Sequence, residues 1–398
     1  MCICKAIAFD FRQMSIQFNV QHNEVVMLIG CPSEIKNQEY RVGVTPAAAQ
    51  EAVANGHDVI IQKGAGAGAG FPDEEYIAAG ARIVDTAEEI FAKADMVVKV
   101  KEPQAVERAQ LRKDQILFTY LHLAPDAPQT ADLLESGVTA IAYETVTDRM
   151  GGLPLLAPMS EVAGRLAPQV GSWTLQKANG GRGVLMGGVP GVAPAKVTVI
   201  GGGVVGTHAA KIAAGMGADV TVLDMSLPRM RYLDDTYSGV FKTRYASKGN
   251  TAELVAESDM VIGAVLIPGA AAPKLVSRAM LSTMKPGAAI VDVAIDQGGC
   301  FETAHATTHD DPIYEVDGIM HYCVANMPGA VARTATIALG NATMPFMIAL
   351  ANKGWKEACA ADPHLMNGLN THAGKLTYAA VGEALGLDYI TTEESLKI

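Results

Sequence analysis

Residues 197–224 read VTVIGGGVVGTHAAKIAAGMGADVTVLD. Four apolar or β-branched residues lead into Gly201-x-Gly203-x-x-Gly206, an Ala-rich helical pattern follows, and a second β-branched run closes on Asp224. In this order the three glycines have separate duties. Gly201 permits the tight turn, Gly203 lets a pyrophosphate approach the backbone, and Gly206 lets the helix pack close to the strand. The helix N-terminus then offers unpaired N–H groups and a positive partial charge to phosphates. Asp224 stands where a carboxylate holds ribose hydroxyls and repels a 2′-phosphate, so the pattern favours NAD over NADP, a preference that nearby Arg229 softens. A Gly-x-Gly-x-x-Gly alone is weak; strand, turn, helix, strand and acid in register are not.

Outward from this unit, short β-branched runs alternate with helical patterns, the sign of a parallel sheet covered on both faces. Strands are expected at 27–30, 58–62, 96–101, 115–121 and 139–143, with helices at 46–54, 73–80, 86–94 and 127–136 between them. A helix from about 153 to 177 and a Gly-rich stretch then lead into strands at 196–200, 219–223, 260–265, 289–293 and 322–324. A long helix over 331–351 carries the chain away. The fold class is therefore α/β with two Rossmann-like domains. The dinucleotide domain (155–332) is inserted between two parts of the other (27–154 and 333–398), and residues 1–26 form an N-terminal extension. That leader reads as an upstream extension, a mis-assigned start or an edge arm, without a cleavage-site signature.

Composition excludes several classes. With 398 residues, 49% apolar and 18% charged, the chain is neither disordered nor a single small domain. A net charge of −11 argues against nucleic-acid binding. No run approaches the ~18 uninterrupted apolar residues of a membrane span. Six cysteines lack the paired short spacings of metal or disulfide frameworks, which favours reduced thiols in the cytoplasm and no metal site. GAGAGAG at 64–70 lacks the lysine of a phosphate loop and reads as a flexible turn. GGRGVLMGGVPG at 180–191 reads as packing glycine, or else as a loop beside the active site.

Hydride chemistry on a small acid needs a fixed cation and a proton handler. Arg41 and Lys101 fall at carboxyl ends of first-domain strands, where open sheets place ligands, although either alone also suits a solvated surface charge. His122, ending the run LFTYLHLAP, is either a hydrogen-bonded structural residue or a group titrating near neutrality. Asp296, in AAIVDVAIDQGGC, is either a helix cap or a buried proton carrier facing the nicotinamide, while Asp292 falls inside the strand.

Longer stretches carry a resemblance: EIKNQEYRVGVTP, VVKVKEP, ILFTYLHLAP, AYETV, LPLLAPMSEVAGRLA, GGRGVLMGGVPGV, VIGAVLIPGAAAPKLV, VDVAIDQGGCFE and YCVANMPGAV. Together they resemble the alanine dehydrogenase family, shared with the nucleotide-binding part of proton-translocating transhydrogenase. The resemblance implies reversible NAD-dependent oxidative deamination of L-alanine to pyruvate and ammonia by a homohexamer. It assigns the substrate carboxylate to Arg41, the substrate oxygens to Lys101 and the acid/base pair to His122 and Asp296. Cofactor contacts would come from Ser160, the turn Gly201, Gly203, Val204, Val205 and Gly206, then Asp224, Arg229 and Ala246. On the nicotinamide side they would come from Val265, Leu266, Val293, Ala294, Ile295, Asp296, Val324, Ala325, Asn326 and Met327. Ala246 stands where relatives carry a serine, which removes one hydroxyl. Rival readings are a transhydrogenase subunit, an opine or other amino-acid dehydrogenase, and a non-catalytic NAD-binding regulator.

Overall fold

A computed structural model describes residues 26–265 and 272–398. The first sheet holds β1 (Leu28–Cys31), β2 (Asp58–Gln62), β3 (Arg82–Val84), β4 (Met96–Val98), β5 (Ile116–Thr119) and β6 (Thr139–Ala142). The second holds β7 (Lys196–Ile200), β8 (Asp219–Asp224), β9 (Lys242–Tyr245), β10 (Met260–Gly263), β11 (Ala289–Asp292), β12 (Ile313–Val316) and β13 (Ile319–Tyr322). Then β14 (Leu369–His372) and β15 (Lys375–Leu376) return to the first sheet, β14 antiparallel to β6 and β15 antiparallel to β14.

The spatial orders are β15-β14-β6-β5-β4-β1-β2-β3 and β12-β13-β11-β10-β7-β8-β9. Each contains six parallel strands in the doubly wound order 3-2-1-4-5-6, with its reversal between β1 and β4 or between β7 and β10. Ligands bind outside the carboxyl ends of strands at such reversals.

Side-chain alternation divides each sheet into two cores. From the first sheet, Ile29, Ile61, Val98, Phe118 and Ile141 enter one cluster, while Ile60, Val97, Leu117 and Ala140 enter another on the opposite face. The second sheet does the same with Val197, Val199 and Ile262 against Ile200, Val261 and Ile290. Full burial of each such side chain is worth about 1.5–3 kcal/mol, so continuous apolar runs are what a doubly covered sheet selects.

Two helices connect the sheets. The connecting helix Ala157–Thr174 crosses Val204–Gly215 at Gly164, where an added Cβ would lie 2.4 Å from the Val205 carbonyl oxygen. The long helix Ala332–Ala361 continues ten residues past the expected end and breaks its helical geometry at Gly354 (φ 72°). By length and composition Met327–Ala361 is apolar enough to cross a membrane, yet Ala335, Leu339, Met347 and Leu350 are buried in the first core.

Several expectations require correction. Strand β4 ends at Val98 rather than 101, so Lys99 and Lys101 both lie beyond it. The last parallel strand is Ile319–Tyr322, not 322–324. The three-residue β3 and polar β9 lie on sheet edges, where apolar periodicity fades. The 64–70 turn is packed rather than loose: an added Cβ on Gly66 would meet the Phe71 oxygen at 2.6 Å, and Arg333 donates to the Gly70 carbonyl at 2.7 Å. Residues 183–195 border Lys196, Asp259 and Lys285, at or near the amino ends of β7, β10 and β11, away from the carboxyl-edge cleft.

Candidate active site

The glycine turn has the expected geometry. Gly201 has φ 102°, and an added Cβ there would sit 2.8 Å from the Ala264 carbonyl oxygen. Gly206 is tighter still, since its Cβ would fall 1.7 Å from the Gly201 oxygen. Gly203 faces open space and caps the helix without a side-chain bond, leaving its first N–H groups to a ligand. Asp224 ends β8 and accepts from Gly202 N and Ser226 N, both at 2.7 Å. Arg229 closes the turn from outside, donating from Nε to the Gly202 carbonyl at 2.6 Å and from Nη2 to Thr207 Oγ1 at 2.8 Å. Ala246 donates its backbone N–H to the Asp224 carbonyl at 2.9 Å, which sets it beside the strand-end acid without the hydroxyl. An open, uncapped helix start beside a strand-end acid fits a dinucleotide's pyrophosphate and ribose.

Val265 follows β10 beside the turn, and Val293, Ala294 and Ile295 follow β11. Val324, Ala325 and Met327 follow β13 at the same carboxyl edge. Ser160 lies in the first turn of the connecting helix. Leu266 lies outside the described residues.

Opposite this edge the first sheet presents Arg41. Its side chain is 2% exposed and clamped along one edge: Nε donates to Glu39 Oε1 at 2.6 Å and Nη2 to Glu39 Oε2 at 2.5 Å. Nη2 also donates to Asn326 Oδ1 at 2.8 Å, and Nη1 rests 3.0 Å from Met159 Sδ. Asn326 Nδ2 donates in turn to Glu39 Oε2 at 2.9 Å. Burial alone would raise the Glu39 carboxyl, but the bonds and charge of Arg41 hold it below the usual range. Asn326, expected only at the cofactor, thus also joins the Arg41–Glu39 pair.

Lys101 is half-buried. Burial and the Arg41 charge hold its ammonium below the ordinary lysine value, against the opposing pull of Glu102 and Asp296. The charge of Asp296, from the second sheet, is thus felt at Lys101 of the first. Lys99 points elsewhere. It is wholly buried and ion-paired with Glu34 at 3.0 Å and Glu107 at 2.7 Å.

His122 is exposed, adopts φ 51° and lies parallel to the Tyr120 ring, with centroids 5.8 Å apart. Glu144 fixes this bend by accepting from Leu121 N at 3.1 Å and His122 N at 2.6 Å. Asp296 sits in the short turn Ile295–Gln297 and is exposed, neither buried nor a helix cap. The buried acid of this loop is Asp292, which ends β11 rather than lying inside it. Glu39, Met159, Tyr120 and Glu144 were not anticipated. Only Glu39 left a signal, two positions from Arg41 on one side of an extended segment.

Residues 30–163 match the description "Alanine dehydrogenase/PNT, N-terminal domain", and residues 167–379 match "Alanine dehydrogenase/PNT, C-terminal domain". The alanine dehydrogenase of Halomonas elongata is 62% identical over 364 residues, 92% of this chain and 98% of that protein. A solved L-alanine dehydrogenase superposes with TM-score 0.88 at 50% identity, over 90% of this chain and 99% of that one. A transhydrogenase from Sinorhizobium meliloti superposes with TM-score 0.76 at 26% identity, over 88% and 100% of the two chains.

Proposed function

The chain belongs to the alanine dehydrogenase/PNT family, and from that premise we propose that it interconverts L-alanine and pyruvate plus ammonia with NAD. One observation carries the reading. The buried cation of the first sheet, Arg41, is hydrogen-bonded at 2.8 Å to Asn326 of the second, whose sheet also bears the open glycine turn.

The residues divide the work. Arg41 holds the substrate carboxylate through Nη1, the end of its guanidinium not committed to Glu39. Lys101 polarises the carbonyl oxygen in the aminating direction and stabilises charge developing there. NAD, when bound along the glycine turn, supplies the acceptor for the α-hydrogen as hydride. Water then adds to the imine carbon, with His122 or Asp296 taking its proton. The other residue of the pair serves the departing amine, and the carbinolamine collapses to pyruvate and ammonia.

The same reading divides the chain into a substrate domain (27–154 and 333–398) and an NAD domain (155–332), with Asp224 selecting NAD over NADP. It also takes the enzyme to be a cytoplasmic homohexamer, which family membership supports. Sedimentation tests the assembly, and a monomer would refute it. The function is tested spectrophotometrically by offering small amino acids and 2-oxo acids with NAD(H), and with NADP(H) as control. Alanine-dependent NADH formation by the isolated chain is expected; its absence overturns the proposal.

A further inference from the structure

The loop carrying Asp296 is short, glycine-rich and exposed at its tip, yet its backbone is tied down almost completely. Asp292, wholly buried at the end of β11, gathers the N–H groups at both ends of the loop. Its Oδ1 accepts from Ala294 N at 3.1 Å, and its Oδ2 accepts from Cys300 N at 2.8 Å and Phe301 N at 3.4 Å. The chain is shaped to this carboxylate. An added Cβ on Gly299 (φ 79°) would lie 2.4 Å from Asp292 Oδ2, and one on Gly263 would lie 3.2 Å from Oδ1.

The carbonyl groups face the other way and are gathered by the segment before the next helix. Lys274 donates from Nζ to the Gly298 carbonyl and, at 3.0 Å, to the Phe301 carbonyl. Ala272 N donates to the Gln297 carbonyl and Leu275 N to the Cys300 carbonyl, each at 2.8 Å. One buried anion therefore holds the donors of this loop, and one cation holds two of its acceptors.

We propose that Asp292 and Lys274 are positioning residues for Asp296, fixing its carboxylate against the cleft by holding its loop from both polarities. This rests on the role given to Asp296 above. Both oxygens of Asp292 only accept, which requires the ionised form. Burial raises the group, and its three N–H donors and the Lys274 charge offset part of that rise, leaving it at about 6, on the ionised side of neutral pH. Cys300, Tyr314 and Cys323 are the other titratable groups that sense it, and burial raises all three to about 12 or above, keeping them neutral. Asp292→Asn replaces an acceptor by a donor aimed at N–H groups. Lys274→Met keeps the stem and removes the ammonium.

The test is a double-mutant cycle on kcat for pyruvate amination by the full-length enzyme. Asp292→Asn is expected to lower kcat by about 10–100-fold and Lys274→Met by about 3–10-fold, because small misplacements of a reacting group are costly. KM for pyruvate should stay within about twofold, since Arg41 is untouched. In an Asp296→Asn background each substitution should lose most of its effect, because residues acting through one group are not additive. Equal factors in both backgrounds, or parental kcat in both single variants, would overturn the proposal. If Asp292→Asn fails to fold, the exposed Lys274 carries the same cycle. Near-parental kcat in Asp296→Asn would overturn the role of Asp296 and the proposal with it, an outcome read from a different variant.

Discussion

Arg41 and Asn326, 285 positions apart in the chain, are joined by a hydrogen bond of 2.8 Å from Nη2 to Oδ1. Glu39 closes the triangle by accepting from both side chains. The bond spans the two lobes, for Arg41 follows β1 of the first sheet and Asn326 follows β13 of the second. Asn326 adopts φ 64°, a left-handed conformation that asparagine tolerates better than most residues. Arg41 is therefore oriented by partners from both sheets.

Asn326→Ala should raise KM for pyruvate by about 5–20-fold, corresponding to a lost charge-assisted hydrogen bond. The Arg41–Glu39 pair remains, so thermal stability should change little. Steady-state kinetics against pyruvate at saturating NADH checks this, and an unchanged KM would refute the role of the triangle.

His122→Ala and Asp296→Ala should each lower kcat by about 10²–10⁴-fold, the usual contribution of a positioned acid or base. Neither side chain belongs to the glycine turn, so NADH binding followed by fluorescence should persist. A variant that turns over at the parental rate identifies a residue without a proton to carry.

Lys101 bears on the alkaline limb of the pH profile. Its folded ammonium is held below the ordinary lysine value, so it loses its proton earlier as pH rises than a solvated lysine would. Lys101→Arg keeps the positive charge throughout the accessible range. The alkaline limb of kcat/KM for pyruvate should then move to higher pH, with kcat reduced by the altered shape. A limb at the same pH in both enzymes would assign it to another group.

Gly206→Ala brings a methyl group to 1.7 Å from the Gly201 oxygen, a contact neither backbone segment can relieve without moving. The substitution should destabilise the protein by at least about 1–3 kcal/mol and abolish NADH binding. Gly203→Ala meets no protein atom within 4 Å, so it should fold normally and weaken only the cofactor. Thermal melts with and without NADH separate these two effects.

The dinucleotide unit was legible because its information is local. Gly201, Gly203, Gly206 and Asp224 act through turn geometry and helix start within 28 residues, and strand periodicity follows from burial on both sheet faces. Edge strands such as β9 were not legible, since KTRY is selected for pairing on one side and water on the other. Asp292 and Asp296, four positions apart, looked alike in type, and the expectation of burial fell on the wrong one.

The sequence by itself determined the architecture, the cofactor turn and the kinds of charged residue available to a small acid. Only the tertiary structure decided which partners each of them has: Glu34 and Glu107 on Lys99, Glu39 and Asn326 on Arg41, Glu144 beneath His122. The reason is physical. Turns and periodic burial depend on neighbours along the chain, whereas the charge state and direction of a buried ion depend on partners that folding alone brings within about 3 Å.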